Sequence, residues 1–299
     1  MHSSKWNILI IFFFLLFSMI QSIYAGDFDD NNIYLLIRCD DMGMNHSVNM
    51  AAQQLFASGI PVSVSVMLTC PWYQEAVEIL KKYPQVSVGV HTTLNAEWKN
   101  YRWGPIIGKT TAIGLVDSLG YFFPSRAKLF ANNPSKKVIE MELRAQIERA
   151  LNSGIKIDYI DHHMSAAVET IELREMFEGL ADEYNLGIST YFGEKYSSIT
   201  YGAAIENKSD SLIYHLKSLQ PGLNLQVIHI GLNTPEMRAL IDMNEFGLEN
   251  MAAHREAELR TLLSPLFKET IKNKKIQLIT YRDVINMLGL DLMERPEIN

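Results

Sequence analysis

Two adjacent carboxylates at the end of an apolar run, Asp40 and Asp41, constrain the fold more than any other feature of this sequence. The run 35–39 reads Leu-Leu-Ile-Arg-Cys, which predicts a buried strand, and Gly43 predicts a turn soon after it. Burying two carboxylates side by side costs free energy unless a cation or hydrogen bonds offset it. The pair therefore indicates a metal site, an acid–base site or both, and the alternative is that it caps the next helix.

Short apolar runs alternate with amphipathic segments along the whole chain. Seven of these runs predict strands: 35–39, 62–68, 86–90, 157–160, 188–191, 225–228 and 277–280. Strands that alternate with helices imply right-handed crossovers and a parallel sheet. No repeat or low-complexity linker marks a second domain. We therefore expect an α/β fold, a single-domain, irregular (β/α)7 TIM-like barrel of parallel strands that covers residues 26–299.

Two segments show little periodicity. The segment 92–133 carries many aromatic residues among Gly and Pro, and 192–209 is ambiguous. A structureless loop of about 40 residues in a compact domain is usually functional. We expect both segments to be loops, the first of them at the functional site.

The first 25 residues predict a signal peptide. Lys5 gives a positive start, Ile8 to Ile20 is an apolar run of the right length, and Ala25 suits cleavage. The alternative is a retained membrane anchor, for which the run is short, because a spanning helix needs about 20 residues. We expect an exported protein, periplasmic or secreted, with no stable membrane anchor after processing.

Charge and cysteine content exclude some classes of function. The formal net charge of −7 and the lack of a basic cluster argue against nucleic acid as a partner. Two cysteines do not make a disulfide framework. Cys39 and Cys70 both fall near predicted strand ends, so they are either paired in an oxidising compartment or two buried free thiols.

Five side chains that can bind a metal or transfer a proton follow predicted strands directly. They are Asp40, Asp41, His91, His163 and His229, after the first, third, fourth and sixth strands. In a parallel barrel these strand ends share one face, where the loops build active sites. One carboxylate with two imidazoles is a ligand set for a catalytic divalent metal, and the other carboxylate can handle protons. Taken singly, each of these residues could instead be a packed or capping residue.

The neighbouring histidines His162 and His163 compete for one role in this set. Adjacent side chains on an extended chain point apart, so both cannot face the same point without an unusual turn. The residues alone leave this choice open.

With these residues in place, the chain resembles the YdjC/ChbG-type carbohydrate deacetylases, which are distantly similar to the NodB-type polysaccharide deacetylases. The matching segments, in order, are LLIRCDDMGMNHSVN, VSVGVHTTLN, DSLGYFFPSRAKL, IDYIDHHMSA, LQVIHIGLNTPEMRALI and AAHREAELRTLLSPLFK. They extend over about 33–285. The resemblance implies a barrel fold, one divalent metal ion, either magnesium or zinc, and a homodimer.

The resemblance also implies a role for each of the five site residues. It makes Asp41, His91 and His163 the metal ligands, and it selects His163 because the family's ligand lies two residues beyond an Asp. Asp40 becomes the general base. His229 becomes the general acid, although the family's His-Pro pair is His-Ile in this chain.

Four further residues are candidates for binding substrate. Arg255 resembles a family Arg that orients an active-site carboxylate, and its alternative is a solvated helix charge. Trp98, Trp103 and Tyr121 could stack on sugar rings, whose C–H faces are apolar, or could pack in the core.

The function that follows is metal-assisted hydrolysis of an N-acetyl group on an amino sugar or short oligosaccharide, with the acetylated amino sugar as substrate. One alternative is a metal-dependent hydrolase that cleaves another amide or a phosphoester on the same barrel, because a fold alone does not decide a reaction. A second is a sugar-binding relative without catalysis.

Overall fold

The computed structural model describes residue 29 and residues 31–296. The predicted signal peptide, residues 1–25, lies outside this range and stays a prediction. Within 31–296, no helix is both long enough and apolar enough to cross a membrane.

The described chain alternates strands and helices. The strands are β1 (Ile33–Met42), β2 (Ser63–Val66), β3 (Ser87–Thr92), β4 (Tyr159–His162), β5 (Gly187–Ile188), β6 (Lys195–Ser197), β7 (Gly222–Ile228) and β8 (Gln277–Ile279). The α-helices are α1 (His46–Ala57), α2 (Tyr73–Leu80), α3 (Arg126–Ala131), α4 (Lys136–Asn152), α5 (Ile171–Tyr184), α6 (Lys208–Ser218), α7 (Pro235–Arg238), α8 (Met251–Leu263), α9 (Pro265–Asn273) and α10 (Tyr281–Leu288). Two 3-10 turns lie at His163–Val168 and Ile205–Asn207.

All strands run parallel in one curled sheet with the order β5-β4-β3-β2-β1-β7-β6. The eighth strand, β8, pairs with Tyr34–Leu36 of β1, and β2 pairs with the later part of β1, from Arg38 on. Because β7 pairs with both parts of β1, β8 and β2 share its other edge. No ladder joins β5 to β6 among the described strands. The barrel is therefore irregular, with β1 at its centre.

β1 is apolar on both faces because it lies between two layers of side chains. Leu35 and Ile37 belong to the large core between sheet and helices. Tyr34 and Leu36 belong to a second cluster enclosed by the curled sheet. The members of this inner cluster are Tyr34, Leu36, Tyr159, Phe192, Leu223, Leu225, Val227, Ile279, Tyr281 and Val284. Side chains alternate along a strand, so a residue two positions after a member of this cluster also faces the interior. At the carboxyl ends of the strands, these positions lie beyond the apolar cluster.

The predicted fold class, a single-domain parallel α/β barrel, is confirmed. The structure adds a short strand, β6, inside the segment 192–209, and a short helix, α3, inside 92–133, both of which the sequence predicted as loops. β6 was missed because two of its three residues are exposed, so it carries no apolar signal. Cys39 and Cys70 are buried free thiols.

Gly89 in β3 gives a test of how tightly the interior is packed. Gly89 pairs with Tyr159 of β4, and a Cβ at Gly89 would lie 2.3 Å from Cε2 of the Tyr159 ring. We expect Gly89→Ala to lower the free energy of unfolding by about 1–3 kcal/mol, as overpacking does. Gly179→Ala in α5 is the control: its Cβ would meet nothing within 4 Å, so it should stabilise by about 0.5–1 kcal/mol. Urea unfolding of both variants measures this, and equal changes would contradict the packing argument.

Candidate active site

A bulge at the end of β1 brings two successive carboxylates to one site. The β1–β2 register shifts between Cys39 and Met42, and Asp41 has a left-handed backbone with a φ of 68°. An extended strand would point the side chains of Asp40 and Asp41 to opposite faces. Here both Asp40 and Asp41 come close to His91, Asp40 together with Asp161 and Asp41 together with His163. Neither carboxylate caps α1, because Asn45 does so by accepting a hydrogen bond from Val48 N.

The side chains of Asp41, His91 and His163 converge on one point. Asp41 Oδ1 lies 3.4 Å from His91 Nε2 and 3.5 Å from His163 Nδ1, and these two nitrogen atoms are 3.3 Å apart. His91 lies in β3, and His163 follows β4 at the start of a 3-10 turn. Three atoms that can ligate thus form a nearly equilateral triangle in which all three residues are buried.

The ring nitrogen of each histidine that points away from Asp41 contacts a second carboxylate. His91 Nδ1 is 2.9 Å from Asp161 Oδ1, and His163 Nε2 is 3.1 Å from Glu97 Oε2. With a proton on each of these outer nitrogen atoms, the lone pairs of His91 Nε2 and His163 Nδ1 face Asp41. Metal-binding histidines commonly have this arrangement, because the outer acceptor fixes the tautomer and the ring orientation.

The cluster is negatively charged, and this shows in the pKa values of its histidines. Burial lowers the pKa of His163, but Glu97 and Asp41 more than offset this and raise it to about 9. Burial likewise opposes the charged form of His91, and the nearby Asp161 and Asp40 nevertheless hold its pKa well above the usual range. Without another cation, the raised pKa values favour the positively charged, doubly protonated form of both imidazoles.

The residues of the triangle fit a divalent metal ion. Asp41 Oδ1 is buried, and among the described residues only the His91 and His163 imidazoles face it. When these imidazoles are neutral they cannot donate to it, and a cation is then the partner that the buried oxygen needs. One carboxylate and two imidazoles are a common catalytic donor set. A metal–ligand length of about 2.0–2.1 Å with tetrahedral angles separates neighbouring ligand atoms by about 3.3–3.4 Å, close to the observed spacing.

Asp40 is fixed by Arg38, two residues before it in β1. Arg38 Nε donates to Asp40 Oδ1 at 2.7 Å, and Nη2 donates to Oδ2 at 2.8 Å. The same guanidinium lies 3.2 Å from Asp161 Oδ2 and donates to Ser189 Oγ at 2.5 Å. Arg38 therefore holds both Asp40 and the carboxylate that orients His91.

Arg255 in α8 is buried, not solvated. Its Nη2 donates to Asp41 Oδ2 at 2.6 Å, and only 3% of the residue is exposed. The role that the resemblance implies for Arg255, orienting an active-site carboxylate, stays a prediction. The Nε and Nη1 groups of Arg255 have no hydrogen-bond acceptor among residues 31–296.

His229 lies one residue beyond β7. Its backbone N–H donates to Glu258 Oε2 at 2.7 Å, and its ring meets that of Tyr201 edge to face, with the centroids 5.3 Å apart. Burial lowers the pKa of His229, and the charge of Asp41 only partly compensates.

A cavity of about 270 Å³ joins these groups. Its lining includes Asp41, His163, His229 and Arg255, together with the carboxylates of two further residues, Glu97 and Asp242. Asp40 and His91 are not among its lining residues. The cavity is small, and it combines the candidate ligands with a candidate proton donor.

The predicted sugar-stacking residues lie in different places. Trp98 lines the cavity but is 2% exposed, and its indole N–H has no acceptor in the described part of the chain. Trp103 is buried beside the His163 ring, and its N–H donates to a backbone oxygen. Tyr121 is partly exposed beneath the Arg102 guanidinium and does not line the cavity.

Other aromatic side chains lie at the cavity. Tyr196 and Phe246 line it and are 58% and 67% exposed. They come from β6 and from the segment before α8, neither of which carried a distinctive sequence signal. Glu97 was missed for the same reason, because it lies in the long segment 92–133. Asp161 and Arg38 could have been found, since each lies two residues before a candidate site residue, on a predicted strand or directly after one.

Comparison with known proteins identifies the family. A family model described as YdjC-like protein matches residues 34–273, well over half of the chain. This chain belongs to the YdjC-like family. Similar proteins include a carbohydrate deacetylase from Thermoanaerobacter pseudethanolicus, which is 26% identical over 262 residues and aligns with 83% of this chain and 98% of that protein. A carbohydrate deacetylase from Brevibacillus brevis is 27% identical over 264 residues, which covers 84% of this chain and 99% of that protein.

A solved structure shares the fold. A crystal structure of a protein from Enterococcus faecalis superposes with a TM-score of 0.68 at 22% identity, and the match covers 85% of this chain and 99% of that one. The irregular barrel described above is therefore found in another solved protein.

The raised pKa of His163 can be tested directly in metal-free protein. Glu97→Gln removes the charge that stabilises the imidazolium, so we expect the pKa of His163 to fall from about 9 towards 6.5. A histidine NMR titration in the presence of a chelator measures this. His215 in α6, whose pKa burial lowers, is the internal control and should not change. An unchanged His163 pKa would show that Glu97 is not its charge partner.

Proposed function

We propose that this protein is a metal-dependent hydrolase that removes N-acetyl groups from amino sugars or short oligosaccharides. The observation that carries the proposal is the convergence of Asp41 Oδ1, His91 Nε2 and His163 Nδ1 within 3.3–3.5 Å of one another. The names of the aligned relatives, which are carbohydrate deacetylases, support the choice of reaction.

Asp41, His91 and His163 would hold the metal. A bound divalent metal would polarise the acetyl carbonyl and lower the pKa of a water molecule towards about 7. Two imidazoles and the observed ligand spacing favour zinc over magnesium, which prefers oxygen ligands and right angles.

Protein side chains would carry the two proton transfers. Asp40, oriented by Arg38, takes the proton from the attacking water, whose oxygen bonds to the acetyl carbon. His229 gives a proton to the sugar nitrogen as the C–N bond breaks, because an unprotonated amine anion is a poor leaving group. The products are acetate and a free amino sugar.

The cavity supports a neutral sugar as substrate over a phosphoester. Three carboxylates, those of Asp41, Glu97 and Asp242, line it together with one arginine, Arg255. Even with a dication bound, a phosphate group would find only one arginine besides the metal, whereas the hydroxyl groups of a sugar can donate hydrogen bonds to these carboxylates. Tyr196 and Phe246 would stack on the apolar face of a sugar ring at the mouth of the cavity.

The two adjacent aspartates should have separable roles. We expect Asp40→Asn to lower kcat about 10²–10⁴-fold, the usual size of a general-base contribution, while the protein still binds one metal ion. Asp41→Asn should lose the metal as well as the activity. Acetate release from N-acetylated oligosaccharides and metal analysis of each variant measure these effects. Wild-type turnover by Asp40→Asn would exclude Asp40 as the base, and metal retained by Asp41→Asn would exclude Asp41 as a ligand. A wild-type protein that binds sugar but releases no acetate would leave the sugar-binding alternative.

Metal binding should release protons. Without metal, His163 with its pKa of about 9 is protonated at neutral pH, and the raised pKa of His91 favours its charged form as well, whereas only neutral imidazole can ligate. We expect affinity to rise with pH through the His163 pKa of about 9, and protons to be released when the metal binds at pH 7. Calorimetry in buffers of different ionisation enthalpy measures this, with zinc and magnesium compared. Binding without proton release would mean that the histidines are not the ligands.

A further inference from the structure

Lys208 is a fully buried cation outside the proposed reaction. It begins α6, and only 1% of it is exposed. Its ammonium donates to Thr200 O at 2.5 Å, Tyr201 O at 3.2 Å and Glu258 Oε1 at 2.9 Å. All three protons of the ammonium therefore have acceptors, and two of these are backbone atoms of the segment that carries Tyr201.

Glu258 links Lys208 to the strand end at His229. One oxygen of its carboxylate, Oε1, accepts from Lys208, and the other, Oε2, accepts from the backbone N–H of His229 at 2.7 Å. Ile228 is the last residue of β7 that pairs with β1, and the His229 N–H follows it. The Glu258 carboxylate accepts the hydrogen bond that a neighbouring strand would otherwise accept from this N–H.

The imidazole of His229 has no other support. Neither of its ring nitrogen atoms is hydrogen-bonded to a described residue, whereas a functional histidine is usually oriented by such a bond. Its orientation rests on its backbone and on the ring of Tyr201, 5.3 Å away. Lys208 and Glu258 hold both of these.

Stability alone does not explain this pair. The desolvation of a buried ammonium and a buried carboxylate offsets much of their electrostatic attraction. Apolar side chains of similar size often stabilise a protein as well or better. The specific result of the pair is geometric: it fixes the backbone of His229 and the segment with Tyr201 relative to each other.

We propose that Lys208 and Glu258 are positioning residues that set the orientation of the His229 imidazole for proton donation to the leaving amine. This inference rests on the proposed deacetylase function. It adds two residues that act through His229 and do not touch the substrate.

Glu258→Gln is the variant that tests it. The side chain keeps its size, but its amide N–H₂ must face either the Lys208 ammonium or the His229 N–H, both of which are donors. One of the two hydrogen bonds is therefore lost. Glu256→Gln is the matched control, because Glu256 lies on the same helix and its polar contacts within residues 31–296 are Asn233 N at 3.4 Å and Arg260 at 3.9 Å.

The assay compares two acetyl donors. An N-acetylated sugar needs its amine protonated, whereas 4-nitrophenyl acetate releases a good leaving group that needs no proton. We expect Glu258→Gln to lower kcat on the sugar about 10–100-fold with KM within about 3-fold, and to change the ester rate by less than about 2-fold. In a His229→Ala background, Glu258→Gln should have no further effect on kcat, because a residue that acts through His229 is not additive with it. Glu256→Gln should match the wild type.

Equal losses on both acetyl donors, or an undiminished effect of Glu258→Gln in the His229→Ala background, would overturn the inference. An NMR measurement separates this failure from failure of the proposed function. The nuclear Overhauser contact between the His229 and Tyr201 rings should weaken in Glu258→Gln and persist in Glu256→Gln, whether or not the wild type releases acetate. Acetate release absent in the wild type would refute the proposed function, and an unchanged ring contact would refute the positioning role.

Discussion

The rest of the site depends on the balance of charges buried at the carboxyl ends of the strands. Asp40, Asp41 and Asp161 are each less than 5% exposed, and each has a cationic partner: Arg38 for Asp40, Arg255 for Asp41, and His91 with Arg38 for Asp161. A buried carboxylate without such a partner costs several kcal/mol. The arginines pair with one side of the cluster, which leaves Oδ1 of Asp41 facing two imidazoles, where a divalent cation could bind.

Much of this arrangement could be predicted from the sequence, because strands are short and strongly apolar in an α/β barrel. The apolar runs of β1, β3, β4 and β7 can be recognised in the sequence. In a parallel barrel, the polar residues that follow these strands lie at the same end of the sheet. Asp41, His91 and His163 do meet there, and His229 lines the same cavity. The alternation of side chains along a strand also predicts that Arg38 and Asp161 face the interior of the barrel, although neither was identified as a site residue from the sequence.

The parts that could not be predicted depend on backbone geometry or on loops. The left-handed conformation of Asp41 and the shifted β1–β2 register have no sequence signature, since glycine and not aspartate is the usual residue there. Glu97 and Trp98 are placed by pairing between the long loop and the segment near Asp242, through a single antiparallel bridge between Trp98 and Asp242. Contacts of this kind are decided by tertiary packing and not by local pattern, so the predicted stacking role of the tryptophans could not be placed in advance.

Helix α8 shows how one rigid element can set the geometry of both halves of the site. Its charged sequence resembles that of a solvated helix, yet Arg255 and Glu258 are both buried. They are three residues apart and thus neighbours on one face of the helix. Arg255 binds the carboxylate of Asp41, and Glu258 binds the backbone of His229. The separation between the candidate metal ligand and the candidate proton donor is therefore fixed by less than one turn of helix, which varies far less than a loop would.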